Sequence, residues 1–216
     1  MSVPSPELVI FDCDGVLVDS ERLTAEVSAE ILATQGWAVT ADEILELFTG
    51  CTDEFWRDEI EVRTGRRPDH TWDAEHGHRY ERAFDERLTP VDGIVHALHL
   101  LEVPWCVASN GSHAKVRANL GRTGLLPLFE GRIFSAEDVA TGKPSPDLFL
   151  HAAATMGVDP VRCVVVEDSV PGVTAARAAG MRVLAYMGGD VAEDRLAGPS
   201  TTLFHDMRDL PGLLVD

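Results

Sequence analysis

Short runs of apolar residues recur along the chain, and segments with helical periodicity separate most of them. The first run, Leu8-Val9-Ile10-Phe11, is rich in β-branched and aromatic residues and stops abruptly at a charged residue. Runs of this length and composition are typical of buried strands. Further runs of this kind lie at 105–109, 133–135, 163–167, 182–186 and 201–204. Nearly continuous apolar strands that alternate with helices indicate a parallel sheet covered by helices on both faces.

The segment from about Glu21 to Leu88 differs from the rest of the chain. It has helical periodicity, three of the four tryptophans, many charged residues and no convincing strand. It therefore predicts a separate helical unit, inserted soon after the first strand. We expect an α/β core with a doubly wound, Rossmann-like parallel sheet from residues 1–16 and 90–216, and a small α-helical domain from residues 17–89.

Composition limits the functions that are open to the chain. A formal net charge of −18 and an isoelectric point near 4.7 disfavour binding to nucleic acid or to anionic membranes. No apolar run approaches the ~20 residues of a membrane-spanning helix, and the first residues do not resemble a signal peptide. The four cysteines are scattered without Cys-x-x-Cys spacing, which suits a reducing compartment. We expect a cytoplasmic protein, either a monomer or a small homo-oligomer.

Two aspartates, Asp12 and Asp14, follow the first apolar run with one residue between them. In an extended backbone, residues i and i+2 point to the same side. Both carboxylates are therefore expected at the carboxyl end of a central strand, where open α/β sheets bind ligands. Two close carboxylates repel each other unless a cation or a shared proton relieves the repulsion. The alternative is a strand followed by an Asx-type turn with two solvated acids.

Two further segments offer groups that suit a phosphate. Ser109-Asn110-Gly111 ends a predicted strand with a hydroxyl, an amide and exposed backbone N–H groups, although Ser-Asn-Gly is also ordinary turn chemistry. Lys143 lies between a glycine and a proline, so its loop is constrained. In so acidic a chain, an anionic substrate needs a local positive charge of this kind. An isolated lysine, however, is usually a solvated surface residue.

Glu167 and Asp168 bring two more acids to the end of an apolar strand. With Asp12 and the backbone carbonyl of Asp14, they can form the oxygen-rich octahedral site that Mg²⁺ favours. Adjacent side chains of a strand point in opposite directions, so the two acids are not expected to share one role. Asp168 is favoured as the direct ligand, and Glu167 as a partner that acts through water or through another ligand.

Together these segments resemble the four motifs of the haloacid dehalogenase superfamily, in the order of that family. Asp12-Cys13-Asp14-Gly15 resembles the first motif of its phosphatases and phosphomutases. Asp19-Ser20-Glu21 extends the likeness to the branch of phosphoglycolate phosphatase and β-phosphoglucomutase. The dehalogenases proper lack the second aspartate, so Asp14 argues for phosphoryl chemistry. The segments around Ser109, Lys143 and Glu167 are similar to the second, third and fourth motifs.

The resemblance implies a Mg²⁺-dependent phosphatase whose inserted helical domain is a cap over the active site. It implies that Asp12 is the nucleophile and forms an aspartyl-phosphate, and that Asp14 protonates the leaving group and then activates water. Lys143, Ser109 and Asn110 would contact the phosphoryl group. The carboxyl-terminal half is similar to bacterial sugar-phosphate phosphatases, which favours a small phosphorylated sugar, sugar acid or polyol as the substrate.

Two alternatives remain beside the phosphatase. One is a phosphomutase of the β-phosphoglucomutase type, which uses the same core. The other, from a different class, is a non-catalytic protein that binds a phosphorylated metabolite. Loss of a catalytic acid or of the lysine would mark the binding protein, and this chain has all of them.

Positions in the inserted domain bear on the choice between phosphatase and mutase. The mutases carry a hinge histidine where this chain has Thr24, and an arginine that grips the distal phosphate where this chain has Asp53. Gly50, in that cap loop, and Arg57, about one helical turn further on, are the candidate substrate contacts. Arg57 could replace the missing arginine, but the acidic Asp53 favours net hydrolysis.

Overall fold

The protein is described here by a computed structural model that covers residues 6–48, 53–189 and 191–214. The chain divides into two compact units. One, the α/β unit, is built from Met1–Val18 and Thr89–Asp216 and contains the sheet. The other, the helical unit, is built from Asp19–Leu88.

Six parallel strands form a single sheet in the α/β unit. The strands are β1 (Leu8–Phe11), β2 (Trp105–Ser109), β3 (Ile133–Ser135), β4 (Cys163–Glu167), β5 (Arg182–Tyr186) and β6 (Thr201–Phe204). Their order across the sheet is β3-β2-β1-β4-β5-β6. These are the bounds that the apolar runs predict, and the expected doubly wound α/β fold is confirmed.

The helical unit contains α1 (Ser20–Thr34), α2 (Ala41–Phe48), α3 (Asp53–Thr64) and α4 (Trp72–Arg87). Leu23, Val27 and Ile31 are buried and recur every four residues, so they form one apolar face of α1. The Ser28 hydroxyl of α1 lies 2.9 Å from the Tyr80 hydroxyl of α4, which ties these two helices together. Within the described residues, no helix has both the length and the apolar character that crossing a bilayer requires.

Seven helices of the α/β unit flank or connect the strands in the described part of the chain. They are α5 (Ile94–Leu100), α6 (His113–Arg122), α7 (Leu126–Phe129), α8 (Asp147–Met156), α9 (Val170–Ala178), α10 (Glu193–Leu196) and α11 (Leu210–Leu213). Ser112 caps α6, since its hydroxyl accepts a hydrogen bond from the backbone N–H of Lys115. Gly157 ends α8 in the left-handed region, at φ 73°.

The central strands of the sheet are buried on both faces, which explains why they are apolar at nearly every position. All residues of β1 and β4 are buried. On one face, Ile10 and Val165 belong to the same buried cluster as Phe149 of α8 and Val173 of α9. In the same unit, the ring of Phe11 packs edge to face against that of Phe129 of α7, with the ring centres 6.4 Å apart. The helices on the sheet thus keep water from the strands.

The described cysteines, Cys13, Cys106 and Cys163, are buried free thiols. Burial raises the pKa of each above its ordinary value, to about 11 for Cys163. They therefore stay protonated near neutral pH and pack as small apolar groups. Cys51 lies outside the described residues.

The strand order places a topological switch between β1 and β4. From β1 the chain fills one side of the sheet with β2 and β3, and it then fills the other side with β4, β5 and β6. At such a switch the connections on the two sides diverge and leave a crevice at the carboxyl ends of the strands. Polar residues that follow β1, β2 and β4 therefore meet at this crevice.

Candidate active site

The candidate active site lies at the carboxyl ends of β1, β2 and β4 in the α/β unit. Asp12 directly follows β1, Glu167 ends β4 and Asp168 follows it. Lys143 comes from the loop before α8 and reaches Asp12 across 131 positions of sequence. All four of these charged residues are buried. The structure therefore brings together the main residues expected from the sequence.

Lys143 is the centre of this buried charge cluster. Its Nζ lies 2.5 Å from Asp12 Oδ1 and 2.8 Å from Glu167 Oε1. It also lies 4.8 Å from the centre of the Phe149 ring, with only 3% of its side chain exposed. A buried ammonium group is costly unless it is paired and hydrogen-bonded. Burial lowers the pKa of Lys143, but Asp12 and Glu167 outweigh this effect and hold the pKa above its ordinary value. Lys143 is therefore a fixed cation.

Glu167 is fully buried, and both of its carboxylate oxygens are engaged. Oε1 accepts the hydrogen bond from Lys143. Oε2 accepts from the backbone N–H of Asp168 at 2.9 Å, and from the backbone N–H and the hydroxyl of Ser169 at 2.8 Å each. Glu167 thus joins Lys143 to the turn that follows β4. It positions Lys143 and shapes the loop that carries Asp168.

Two glycines, which lack a side chain, leave room for the carboxylates of Glu167 and Asp168. A Cβ atom at Gly172 would lie 1.7 Å from Glu167 Oε1. A Cβ atom at Gly15 would lie 1.9 Å from Asp168 Oδ2, and Gly15 also has a φ of +77°. Any other residue at either position would displace a carboxylate of the site.

Asp12, Glu167 and Asp168 form a compact group of oxygen ligands. Each offers a carboxylate oxygen that lies within 4.8 Å of the other two. With Lys143, the group has three carboxylates and one ammonium, an excess of two negative charges when all are ionised. Burial raises the pKa of Asp12 to about 7; Lys143 opposes the rise and Glu167 adds to it. A divalent cation would balance the excess, and oxygen ligands suit Mg²⁺. Asp12 and Asp168 are best placed to hold it, because the oxygens of Glu167 are engaged elsewhere.

Ser109 and Asn110 lie at the end of β2, next to the loop of Lys143. Ser109 is buried, and its hydroxyl accepts from the backbone N–H of Gly111 at 3.1 Å. Asn110 Nδ2 donates to the backbone carbonyl of Lys143 at 3.0 Å, and the backbone N–H of Lys143 donates to Asn110 Oδ1 at 2.9 Å. This reciprocal pair fixes the lysine loop, a role that the sequence analysis did not find. A phosphate contact by Ser109 or Asn110 stays a prediction.

Asp14 takes partners different from those of Asp12. Lys115 Nζ lies 2.7 Å from Asp14 Oδ2, and Asn119 Nδ2 lies 3.4 Å from Oδ1. Burial lowers the pKa of Lys115, but Asp14 raises it by more, so that Lys115 is cationic. The argument from an extended backbone does not hold here, because β1 ends at Phe11 and the chain turns before Asp14. Among the described residues, the Asp14 carboxylate is not part of the acidic group.

Lys115 and Asn119 were missed in the sequence analysis. Both lie on α6, which follows directly after the segment that contains Ser109 and Asn110. Their spacing of four places them on one face of this helix. That spacing is a weak signal of a functional role, because it does not show which part of the fold this face of the helix contacts.

The candidate contacts from the inserted segment belong to the helical unit and are described within it. Gly50 lies outside the described residues. Arg57 lies on α3, where its guanidinium donates to the backbone carbonyl of Pro68 at 3.2 Å. The hydroxyl of Thr24 donates to the backbone carbonyl of Ser20 at 2.7 Å. The roles of Gly50 and Arg57 in binding substrate, and of the helical unit as a cap, stay predictions.

Residues 6–180 match the family described as haloacid dehalogenase-like hydrolase. The match spans all four motif segments and covers most of the chain. This chain belongs to the haloacid dehalogenase-like hydrolases. The resemblance drawn from the motifs is therefore confirmed.

Relatives and solved structures support the family along nearly the whole chain. The 6-phosphogluconate phosphatase of Escherichia coli (strain K12) is 34% identical over 209 residues, which cover 96% of this chain and 94% of that protein. A haloacid dehalogenase-like protein of unknown function from Agrobacterium tumefaciens is 38% identical, with a TM-score of 0.86 and coverage of 97% and 98%. A family hydrolase from Deinococcus radiodurans, solved with bound phosphate and sodium, is 30% identical, with a TM-score of 0.84 and coverage of 98% and 96%.

Replacement of Gly172 by alanine is expected to destabilise this haloacid dehalogenase-like hydrolase, against the usual trend for helices. Glycine to alanine within a helix ordinarily stabilises by about 0.5–1 kcal/mol. At Gly172 the new methyl group collides with the buried Glu167 carboxylate, so we expect a loss of about 2 kcal/mol or more. Urea unfolding measures the difference. Gly121→Ala in α6 is the matched control, because the nearest atom would lie 4.0 Å away. Equal effects of the two substitutions would contradict the assignment of Gly172.

The raised pKa of Asp12 predicts a pH dependence of stability in the metal-free protein. Its pKa is 3.8 ordinarily and about 7 in the folded chain, so the folded state binds an extra proton between these values. Stability therefore falls as pH rises through this window, by at most about 4 kcal/mol. Asp12→Asn should remove most of the fall, and at pH 8 without metal it should be the more stable protein. Urea unfolding in EDTA from pH 5 to pH 8 tests this. Parallel stability curves for the two proteins would show that Asp12 does not titrate there.

Proposed function

We propose that this chain is a Mg²⁺-dependent phosphatase that hydrolyses a small phosphorylated metabolite through an aspartyl-phosphate. The observation that carries the proposal is the buried Asp12, paired with Lys143 at 2.5 Å and grouped with Asp168 at the switch point of the sheet. Here a carboxylate nucleophile, a fixed cation and a set of metal ligands share one place. A carboxylate can form a covalent phosphoryl intermediate, which splits one difficult displacement into two easier ones.

In the first step, a carboxylate oxygen of Asp12 attacks phosphorus in line as the ester oxygen departs. Lys143 offsets the negative charge of the phosphoryl oxygens and of Asp12 itself, and Ser109 offers a hydroxyl to one of those oxygens. When bound, Mg²⁺ supplies the positive charge that balances the acidic group and the phosphoryl oxygens. Glu167 keeps Lys143 in place through its 2.8 Å contact.

Asp14 is the proposed acid and base of the reaction. It gives a proton to the leaving ester oxygen as the bond between that oxygen and phosphorus breaks. In the second step it takes a proton from the water that attacks the aspartyl-phosphate, which releases phosphate and restores Asp12. Each proton that Asp14 loses is thus returned within one turnover.

The proposed substrate class is a phosphorylated sugar, sugar acid or polyol. The similarity to a protein named 6-phosphogluconate phosphatase over 96% of the chain supports this class. A small substrate also suits the net charge of −18, which disfavours nucleic acid and anionic membranes as partners.

Phosphate release from a panel of sugar monophosphates tests the proposed function. With Mg²⁺, the purified chain should release inorganic phosphate from at least one member, such as 6-phosphogluconate. Asp12→Asn should lower kcat by at least about 10³-fold, since no other group can replace the nucleophile.

The metal requirement is tested by chelation. EDTA should abolish the activity of the wild type, and added Mg²⁺ should restore it. Asp168→Ala should sharply raise the Mg²⁺ concentration that activity requires.

The matched control for these acids is Asp92→Asn. Asp92 belongs to the same unit, but its carboxylate is exposed and pairs with Arg208 at the surface. This variant should keep wild-type turnover. Full activity after exhaustive chelation would overturn the Mg²⁺ requirement, and substantial activity of Asp12→Asn would overturn the nucleophile.

Incubation with β-glucose 1-phosphate and a trace of glucose 1,6-bisphosphate separates the phosphatase from a mutase. We expect net release of inorganic phosphate from monophosphates, with no requirement for the bisphosphate. The acidic Asp53 stands where the mutases have an arginine, and a carboxylate repels the second phosphate of a bisphosphate. Separate assays of free phosphate and of glucose 6-phosphate give the answer. Rapid accumulation of glucose 6-phosphate with little free phosphate would identify a mutase instead.

A further inference from the structure

Helix α6 presents three polar side chains in a row toward Asp14. Lys115, Asn119 and Arg122 are spaced by four and three residues, so they lie on one face of the helix. Lys115 Nζ donates to Asp14 Oδ2 at 2.7 Å, and Asn119 Nδ2 approaches Oδ1 at 3.4 Å. Arg122 donates to Asn119 Oδ1 at 3.1 Å, which orients the amide. Both oxygens of the Asp14 carboxylate therefore face donors from α6.

The structure holds these donors more firmly than it would hold ordinary surface side chains. The backbone N–H of Lys115 is bonded to the Ser112 cap at 3.2 Å. The aliphatic part of Lys115 crosses Gly111, where an added Cβ would lie 3.3 Å from its Cδ. Asn119 is only 1% exposed. The position of Asp14 is thus set by a buried amide and by a lysine that is fixed near its base.

The two contacts from α6 to Asp14 differ in length and therefore in strength. Lys115 Nζ lies 2.7 Å from Oδ2, and Asn119 Nδ2 lies 3.4 Å from Oδ1. A hydrogen bond near 2.7 Å to a charged donor is much stronger than one near 3.4 Å. Of the two α6 side chains, Lys115 therefore makes the stronger contact with the Asp14 carboxylate, and Asn119 supports it.

We propose that Lys115 and Asn119 are positioning residues, which hold the Asp14 carboxylate in the orientation for proton transfer to the leaving oxygen. The inference rests on the proposed function, in which Asp14 is the acid and base. The proton passes from Asp14 to the ester oxygen while the bond between that oxygen and phosphorus breaks and Asp12 forms its bond to phosphorus. Lys115 keeps its own protons throughout. Proton transfer by a placed group contributes about 10²- to 10⁴-fold, and poor placement loses a large part of such a factor.

Two leaving groups test this role. Nitrophenolate is a weak base that departs without a proton, whereas a sugar alkoxide is a strong base that requires one. Lys115→Met should therefore lower kcat/KM by about 10- to 100-fold for the best sugar monophosphate of the phosphate-release panel. For p-nitrophenyl phosphate the loss should stay within about threefold. A side chain that only supported the fold would lower both values alike.

A double-mutant cycle ties the effect to Asp14. In Asp14→Asn, the further change Lys115→Met should alter kcat/KM for the sugar monophosphate by no more than about twofold, because the group that is positioned is already lost. Asn119→Leu should repeat the selective loss more weakly. Arg117→Met is the matched control, because Arg117 is on the same helix but pairs with the exposed Glu130 at 2.7 Å. It should leave both substrates unaffected.

The outcomes separate the inference from the function on which it rests. Equal losses for the two substrates, or a full further loss in the Asp14→Asn background, would overturn the positioning role alone. Wild-type turnover of the sugar monophosphate by Asp14→Asn would overturn the acid and base role of Asp14, and the positioning role with it. Thermal unfolding of each variant checks that the α/β unit remains folded.

Discussion

The burial of Lys143 between Asp12 and Glu167 is the interaction on which the candidate site depends. An ammonium group that is 3% exposed is tolerated only because two carboxylates lie within 2.8 Å of its nitrogen. Those carboxylates are in turn tolerated because of the lysine, but with Asp168 they leave the cluster two negative charges in excess when all of its groups are ionised. Such a cluster is poor as a stabilising device. Under the proposed function, the cluster is a preorganised place for a divalent cation, whose charge would balance the excess, and for the phosphoryl group of the substrate.

The neighbouring structure serves this charge cluster. Gly172 and Gly15 lack the side chains that would occupy the space of Glu167 and Asp168. Asn110 closes a reciprocal pair of hydrogen bonds on the backbone of Lys143. The parallel sheet brings distant segments of the chain together, since the last residues of every strand lie at the same edge. Groups separated by 131 positions thereby meet without any long excursion of the backbone.

The sequence predicts the sheet well and the contacts within the site only in part. All six strands have the predicted bounds, because each is a short run of apolar and β-branched residues between polar turns. The acids were found because they follow such runs directly. The bonds of Asp14 to Lys115 could not be found in that way, since they span 101 positions and depend on the rotation of α6 over the sheet. The role of Asn110 was missed for a similar reason: Ser-Asn-Gly predicts a turn, but the partner of its amide is a loop elsewhere in the chain.

Asp12 and Asp14 show how one short segment can place two carboxylates in different environments, as the proposed function requires. Asp12 is held in a buried cluster, and burial raises its pKa to about 7. Under the proposed function, a bound cation would keep it ionised as the nucleophile. Asp14 lies past the end of the strand, and its side chain is 26% exposed against 12% for that of Asp12, so water reaches it more readily. Pairs of carboxylates in contrasting environments are a general route to separate acid and nucleophile roles. In this chain the contrast arises from the end of β1 at Phe11 and the turn at Gly15, which direct two aspartates only two positions apart toward different lysines.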